Sequence, residues 1–255
     1  MRHFGIICKL LSAIIVLVFA ATAGVPCAGW AQSPGIEPTA DRILKKMSVY
    51  LAGLEQFSVQ TENTLEVVLR SGEKIQYVNP ANLSIRRPDK LYANRNGDIV
   101  NQEFYYDGKT ITLFMVDQKY YAVAEAPSTL DETLDFARQV LDVYAPAGDL
   151  LYKDAYSILT EDVVSGSYVG LSVVGGVKCH HLAFRGNEVD WQIWVEDGPK
   201  PLPKKLIITS KWIAGAPQFV MSVVSWNLSP KLSEEKFKFV PPKEARKIDF
   251  LRLQR

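Results

Sequence analysis

The residues best suited to bind a metal lie together at Cys179-His180-His181. A structural zinc site takes about four ligands, mostly cysteine and histidine. If this stretch is a β-strand, Cys179 and His181 share one face and His180 points to the other, so two or more further ligands must come from elsewhere. We therefore interpret the three as ordinary strand residues and predict neither a metal nor a cofactor.

Two other patterns have spacings found in hydrolases. Ser71-Gly72-Glu73-Lys74 matches S-x-x-K, but the acyl-enzyme version needs that serine at the start of a helix, and here it lies in a turn between strands. The carboxylate pairs Glu188/Asp190 and Glu196/Asp197 flank turns, where such groups are usually solvated. A hydrolase would need carboxylates that converge across a cleft, or His181 beside a nucleophile. We predict that the protein is not an enzyme.

The segment Asp190–Ser210 is the most informative stretch for the fold. It reads as a strand, a proline-rich turn and a second strand. The first strand places Trp191, Ile193 and Val195 on one face and Trp194 on the other. Alternation therefore prevents the two tryptophans from facing the same cavity, and the pattern does not choose between them.

Much of the chain reads as short β-rich runs separated by turn dipeptides. Ser71-Gly72, Asn96-Gly97, Asp107-Gly108 and Gly175-Gly176 are hairpin signals. Because strands follow strands instead of alternating with helices, the pattern predicts an α+β domain with a large antiparallel sheet. Apolar residues on both faces of these strands require cover on each side, or a curved sheet that wraps around something.

Two longer helices are predicted to accompany the sheet. The first begins at Thr39 as N-cap and ends near Gly53. The second begins at Ser128, with Asp131 three residues on as a partial capping box, and presents its apolar face over Leu130–Tyr144. That face is wide for a surface helix. It indicates burial on two sides or an apolar cavity on one.

The N-terminus predicts export. Arg2 and Lys9 precede the apolar run Leu10–Ala20, and small residues follow, which is the form of a signal peptide cleaved after Ala23 or Ala31. The apolar run is short beside a bilayer span of roughly 20 residues, and an uncleaved anchor is the alternative. No other stretch of the sequence could span a membrane. The mature chain is predicted to be a single domain over residues 32–255.

Cysteine content and net charge limit the possible functions further. Cleavage after Ala23 would keep Cys27, which could pair with Cys179 in an oxidising compartment, whereas cleavage after Ala31 would leave Cys179 as a lone thiol, which we favour. The formal net charge is +1, which argues against nucleic-acid binding.

Several segments together resemble a known superfamily. Asp190–Ile208 is similar to the tryptophan- and proline-containing hairpin of LolA-like periplasmic lipoprotein carriers, and Phe237–Pro242 resembles the F-x-F-x-P-P ending of the same superfamily. Tyr105–Thr110 and Trp226–Pro230 add to the match. In order and spacing, the stretch Thr39–Ile248 is most similar to the predicted periplasmic family named domain of unknown function 2092.

The resemblance implies a fold, a compartment and a ligand class. The fold would be a LolA-like half-barrel, a curved and incompletely closed antiparallel sheet of about eleven strands with helices over its concave face. The carriers hold acyl chains between sheet and helices, so the resemblance also implies a periplasmic location and a lipid or lipoprotein acyl chain as partner.

The aromatic and apolar strand residues either pack as core or line a cavity. The candidates for a cavity wall are Phe114, Leu134, Leu141, Trp191, Ile193 and Val223. Our leading hypothesis is a periplasmic, non-enzymatic protein that binds a lipid, acyl or other apolar ligand. The alternative is a structural or protein-interaction module of the envelope, with a packed core, a protein partner and no small ligand.

Overall fold

The computed structural model describes residues 35–143 and 145–250. The predicted signal peptide, both cleavage sites and Cys27 lie outside the described residues. Within them the chain forms one 14-stranded sheet and three α-helices. The strands are β1 (Gly35–Ile36), β2 (Gln56–Val68), β3 (Lys74–Val78), β4 (Ala81–Arg86), β5 (Lys90–Asn96), β6 (Asn101–Tyr106), β7 (Thr110–Met115), β8 (Tyr120–Glu125), β9 (Val163–Val174), β10 (Val177–Gly186), β11 (Val189–Glu196), β12 (Pro203–Ser210), β13 (Gln218–Asn227) and β14 (Arg246–Ile248). The helices are α1 (Pro38–Ala52), α2 (Leu130–Gln139) and α3 (Ala155–Thr160), with 3₁₀ helices at Gly148–Leu151 and Glu234–Phe237.

The strands follow the order β1-β9-β10-β11-β12-β13-β2-β4-β5-β6-β7-β8-β14, and β3 pairs with β2 beside this path. Neighbouring strands are antiparallel except at the two ends, where β1 runs parallel to β9 and β14 parallel to β8. The sheet is large, curved and unclosed, and the helices lie on its concave face. The predicted α+β class, with a large, curved and incompletely closed sheet, is thereby confirmed.

The sheet has more strands than the predicted total of about eleven. The stretch from Lys74 to Arg86 is divided at Asn79-Pro80 into β3 and β4, because proline has no N–H with which to continue the strand pairing. β4 pairs with the first part of β2 and β3 with its last part. The edge strands β1 and β14 are too short to show in a sequence pattern.

The turn dipeptides do form hairpins. Gly108 has a φ of 86° between β6 and β7, and the carboxylate of Asp107 accepts the Thr110 N–H at 2.8 Å. Gly175 and Gly176 are both left-handed between β9 and β10. These positions need backbone angles that glycine adopts without steric cost, which is why the dipeptides predicted them correctly.

Helix α1 begins at Pro38, and its N-cap is Glu37, two residues before the predicted N-cap Thr39. Proline fits there because the first N–H groups of a helix have no intrahelical acceptor. The helix buries Ile43, Met47 and Leu51.

Helix α2 differs from its prediction at both ends. Its N-cap is Thr129 rather than Ser128. The Thr129 hydroxyl accepts the Glu132 N–H at 3.3 Å, which is the first hydrogen bond of a capping box, and donates to the Glu132 carboxylate at 2.8 Å. The helix ends at Gln139, not at residue 144. Asp142 is left-handed, with a φ of 55°, and the Val143 N–H bonds to the Ala137 carbonyl at 2.9 Å, which closes the last turn.

Candidate ligand cavity

A cavity of about 220 Å³ lies between the concave face of the sheet and its helical cover. Its floor is formed by β2, β4, β5, β6 and β13, and its cover comes from α2, residue 143 and residues within 145–151. Pockets for drug-sized ligands usually measure roughly 300–1,000 Å³. The smaller volume suits one narrow chain rather than a bulky ligand.

One end of the floor is apolar. The strand register aligns Phe57, Ile85, Leu91 and Tyr106 across β2, β4, β5 and β6, and each is at most 3% exposed. The Tyr106 hydroxyl is satisfied because it donates to the Pro127 carbonyl at 2.7 Å. We call these four residues the apolar row. Phe57 and Leu91 present it to the cavity.

The next row across the same strands is also apolar. It consists of Val59, Leu83, Ala93 and Phe104, joined at the β13 side by Trp226, and all five line the cavity. The Trp226 indole donates to the Pro203 carbonyl at 3.1 Å, which fixes the ring against the wall.

The opposite end is polar. Two residues further along each strand, the register aligns Thr61, Ala81, Arg95 and Gln102, which we call the polar row, and all four line the cavity. Beyond it on β2, the Asn63 amide donates to the Asn79 carbonyl at 2.9 Å. Along β5 the lining therefore changes from apolar side chains to Arg95, and this polar stretch can bind a polar group, while Leu65 and Phe219 line the wall beyond Asn63.

The cavity wall is cationic. It contains two arginines, and its lining includes neither aspartate nor glutamate among the described residues. Arg138 on α2 is neutralised by an ion pair with Asp149. Arg95 has no ion-pair partner in the part of the chain that the structure describes, and its buried Nε has no hydrogen-bond partner there. Burial alone lowers the pKa of the Arg95 guanidinium below its usual value.

His181 and Asp197, which were considered for metal binding or hydrolysis, each contact another side chain. His181 Nε2 lies 2.9 Å from the Gln192 amide oxygen, and its ring stacks on Trp194 with centroids 4.0 Å apart. Burial lowers the pKa of His181. Asp197 pairs with Lys178 at 3.1 Å. Over residues 35–143 and 145–250, no three metal-ligating side chains come together.

A family comparison identifies the chain. The model of a family described as predicted periplasmic proteins, DUF2092, matches residues 40–251. The chain belongs to this family. Its periplasmic location, predicted from the sequence, agrees with that description. A comparison with curated proteins finds no match.

Solved structures similar to this DUF2092 protein share little sequence with it. An uncharacterised conserved protein from Thermus thermophilus is 10% identical with a TM-score of 0.51, and the match covers 83% of this chain and 99% of that one. This shows a shared fold. LprF from Mycobacterium bovis matches at 15% identity and a TM-score of 0.47, over 84% of this chain and 100% of the other. A LolA superfamily protein from Nitrosomonas europaea matches at 12% identity and 0.37, over 78% and 97%.

The six residues predicted to line a cavity lie in different parts of the DUF2092 protein. Leu134 and Val223 line the cavity. Trp191 and Ile193 are buried with Leu182 and Phe184 under α1, where Trp191 stacks on Phe184 with centroids 4.0 Å apart. Trp191 is thus on the concave face and Trp194 on the other, yet Trp191 is not part of the cavity lining.

The remaining two candidates lie elsewhere in the fold. Leu141 packs with Ile111 and Ala137 in a separate buried cluster. Phe114 lies on the convex face, where Phe239 covers it with ring centroids 5.3 Å apart. Phe239 also contacts Tyr105 and Tyr121. On β7, Phe114 shares its face with Thr110 and Thr112, and Phe239 from the C-terminal segment covers it there.

The sequence interpretation missed the polar row. Arg95 occupies the same face of β5 as Leu91 and Ala93, at positions i, i+2 and i+4. A charged residue that continues an apolar face is a signal that alternation alone could have found.

Among the described residues, no helix has the length and hydropathy needed to span a bilayer.

Proposed function

We propose that this periplasmic protein binds one apolar or amphipathic chain, such as a lipid acyl chain, in the cavity, and that it acts without catalysis. The observation that carries the proposal is the partly open, mainly apolar space between the concave sheet and α2. The sheet register fixes the floor residues, so the cavity is part of the fold.

The energetics of an acyl chain are adequate for binding. From Leu91 to Arg95 the floor extends over four residues of β5, roughly 13 Å. Each buried methylene contributes about 0.8 kcal/mol, and a micromolar dissociation constant corresponds to about 8 kcal/mol. A single chain of about ten methylenes reaches that value before the cost of association is subtracted. An additional contact at the polar end would offset this cost.

Adjacent residues of β13 provide a matched test. Val223 lines the cavity, whereas Val224 is 63% exposed. Val223→Phe should fill the space and abolish binding of dodecanoate to delipidated protein, measured by native mass spectrometry and calorimetry. Val224→Phe adds the same volume outside and should bind as the wild type does. Equal binding by both variants would refute the cavity as the binding site.

A second candidate function rests on the strand edge at β9. Val169, Leu171 and Val173 are 57%, 51% and 69% exposed, and within the described part of the chain β1 pairs with β9 only at Ser165 and Gly166. An apolar edge strand is a typical docking site for an extended segment of a partner protein. The protein would then act as an interaction module of the envelope.

Substitution on this edge tests the second candidate. Leu171→Lys should release a stoichiometric envelope partner in a crosslinking pull-down and leave dodecanoate binding unchanged. A partner profile identical to that of the wild type would argue against docking at β9.

A further inference from the structure

The polar row is an unusual place for a charged residue. Arg95 lies one row beyond Ala93 and faces the same space as the apolar side chains. A guanidinium taken out of water is costly unless it is paired and hydrogen-bonded. Among the described residues, Arg95 has neither an ion-pair partner nor a hydrogen bond at its buried Nε.

The second cationic group on the wall shows that the fold can neutralise an arginine when this is required. Arg138 pairs with Asp149 and lies 6.0 Å from the centre of the Tyr152 ring. The lining offers no carboxylate to Arg95. An anion that enters the cavity therefore meets one cation that is paired and one that is free within the described part of the chain.

The neighbours of Arg95 extend the polar end. Gln102 lies beside it on β6 and Thr61 two strands away on β2. The buried Asn63 Oδ1, on the next row, has no hydrogen-bond partner in the described chain. These groups supply donors and acceptors for a head group and its water, and none of them could stabilise a second apolar tail.

We infer that the ligand is a single-chain anionic amphiphile, with its carboxylate or phosphate head paired to Arg95 and its tail directed toward the apolar row. This inference rests on the proposed function and specifies its ligand class. A guanidinium presents several N–H donors in a planar fork, which fits both oxyanions. The direction of the chain follows from the order of the rows along β5.

Three probes with the same tail test the inference. Dodecanoate, dodecyl phosphate and dodecanol would be titrated into delipidated wild-type protein, Arg95→Gln, Arg95→Lys and Arg185→Gln. Arg185 is exposed on β10, so its substitution is a control for the change in net charge. A charge-assisted hydrogen bond predicts that Arg95→Gln weakens binding of both anions on the order of 10- to 100-fold. Arg95→Lys should keep most of the affinity, and dodecanol should bind all four proteins alike.

The outcomes separate the inference from the proposed function. Unchanged anion binding by Arg95→Gln, or an equal loss for dodecanol, would overturn the role of Arg95 while leaving the cavity as a binding site. Binding of none of the probes by the wild type would overturn the proposed function itself. The ratio of dodecanoate to dodecyl phosphate affinity assigns the head to a fatty acid or a phospholipid type.

Discussion

Two halves of the sheet differ in what covers their concave face. Over β10–β12, α1 fills the space with buried side chains and packs against Leu182, Ile193 and Leu206. Over β2 and β4–β6, α2 and the segment after it leave a cavity. We call these regions the packed half and the cavity half. Both halves are built from strands with apolar concave faces, so the strand pattern alone does not determine where a binding site forms. How closely the covering helix packs on the sheet determines whether a cavity remains.

The largest expected difference between the halves is in core truncation. Ile193→Ala removes a fully buried side chain from the packed half, and should lower the free energy of unfolding by about 2–5 kcal/mol. Leu134→Ala on the cavity wall should cost clearly less, because that side chain already borders empty space and loses fewer contacts. Urea denaturation of both variants measures the difference. Equal losses would show that the cavity half is packed as tightly.

Substitution by a larger residue should also destabilise the packed half more than the cavity half, with a smaller difference between the two. A Cβ on Gly166 would lie 2.6 Å from the Phe184 ring, so Gly166→Ala should destabilise by about 1–3 kcal/mol through overpacking. Ala93→Val adds atoms toward the cavity and should be tolerated. Thermal unfolding of the two proteins tests this, and a destabilised Ala93→Val would contradict spare room at the floor.

The cover of the cavity half depends on the cap of α2. Thr129→Ala removes the side-chain hydrogen bond to the Glu132 N–H and should lower the free energy of unfolding by about 1 kcal/mol. Ser128→Ala is the control, because Ser128 is exposed and is not the N-cap. Hydrogen exchange of the α2 amides should rise in Thr129→Ala alone. A larger rise in hydrogen exchange in Ser128→Ala than in Thr129→Ala would show that Ser128 is the N-cap, as predicted from the sequence.

The sequence predicted the sheet well because its signals are local. Left-handed glycines fix the Asp107-Gly108 and Gly175-Gly176 turns, and alternation places Trp191 and Trp194 on opposite faces of β11. The division between packed and cavity halves is not local. It depends on how far α2 stands from β5, and on the early end of that helix at Gln139, where Asp142 turns the chain away.

The same reasoning explains the misplaced candidates. Alternation puts Phe114 on the same face of β7 as Thr110 and Thr112, opposite Ile111 and Leu113. Its cover, Phe239, lies far along the chain and could not be predicted from a local pattern. The position of Arg95 could have been predicted from the sequence, because it follows Leu91 and Ala93 at strand spacing. Its lack of a partner in the described chain could be read only from the folded structure.

Tryptophan quenching tests the central claim most directly, because each half contains its own reporter. Trp226 lines the cavity, whereas Trp191 is buried in the packed half. Dodecanoate brominated at its tail should quench the fluorescence of the wild type. The account predicts that Trp226→Phe loses most of this quenching and that Trp191→Phe keeps it. Quenching that persists in Trp226→Phe and disappears in Trp191→Phe would place the ligand under α1 and contradict the account.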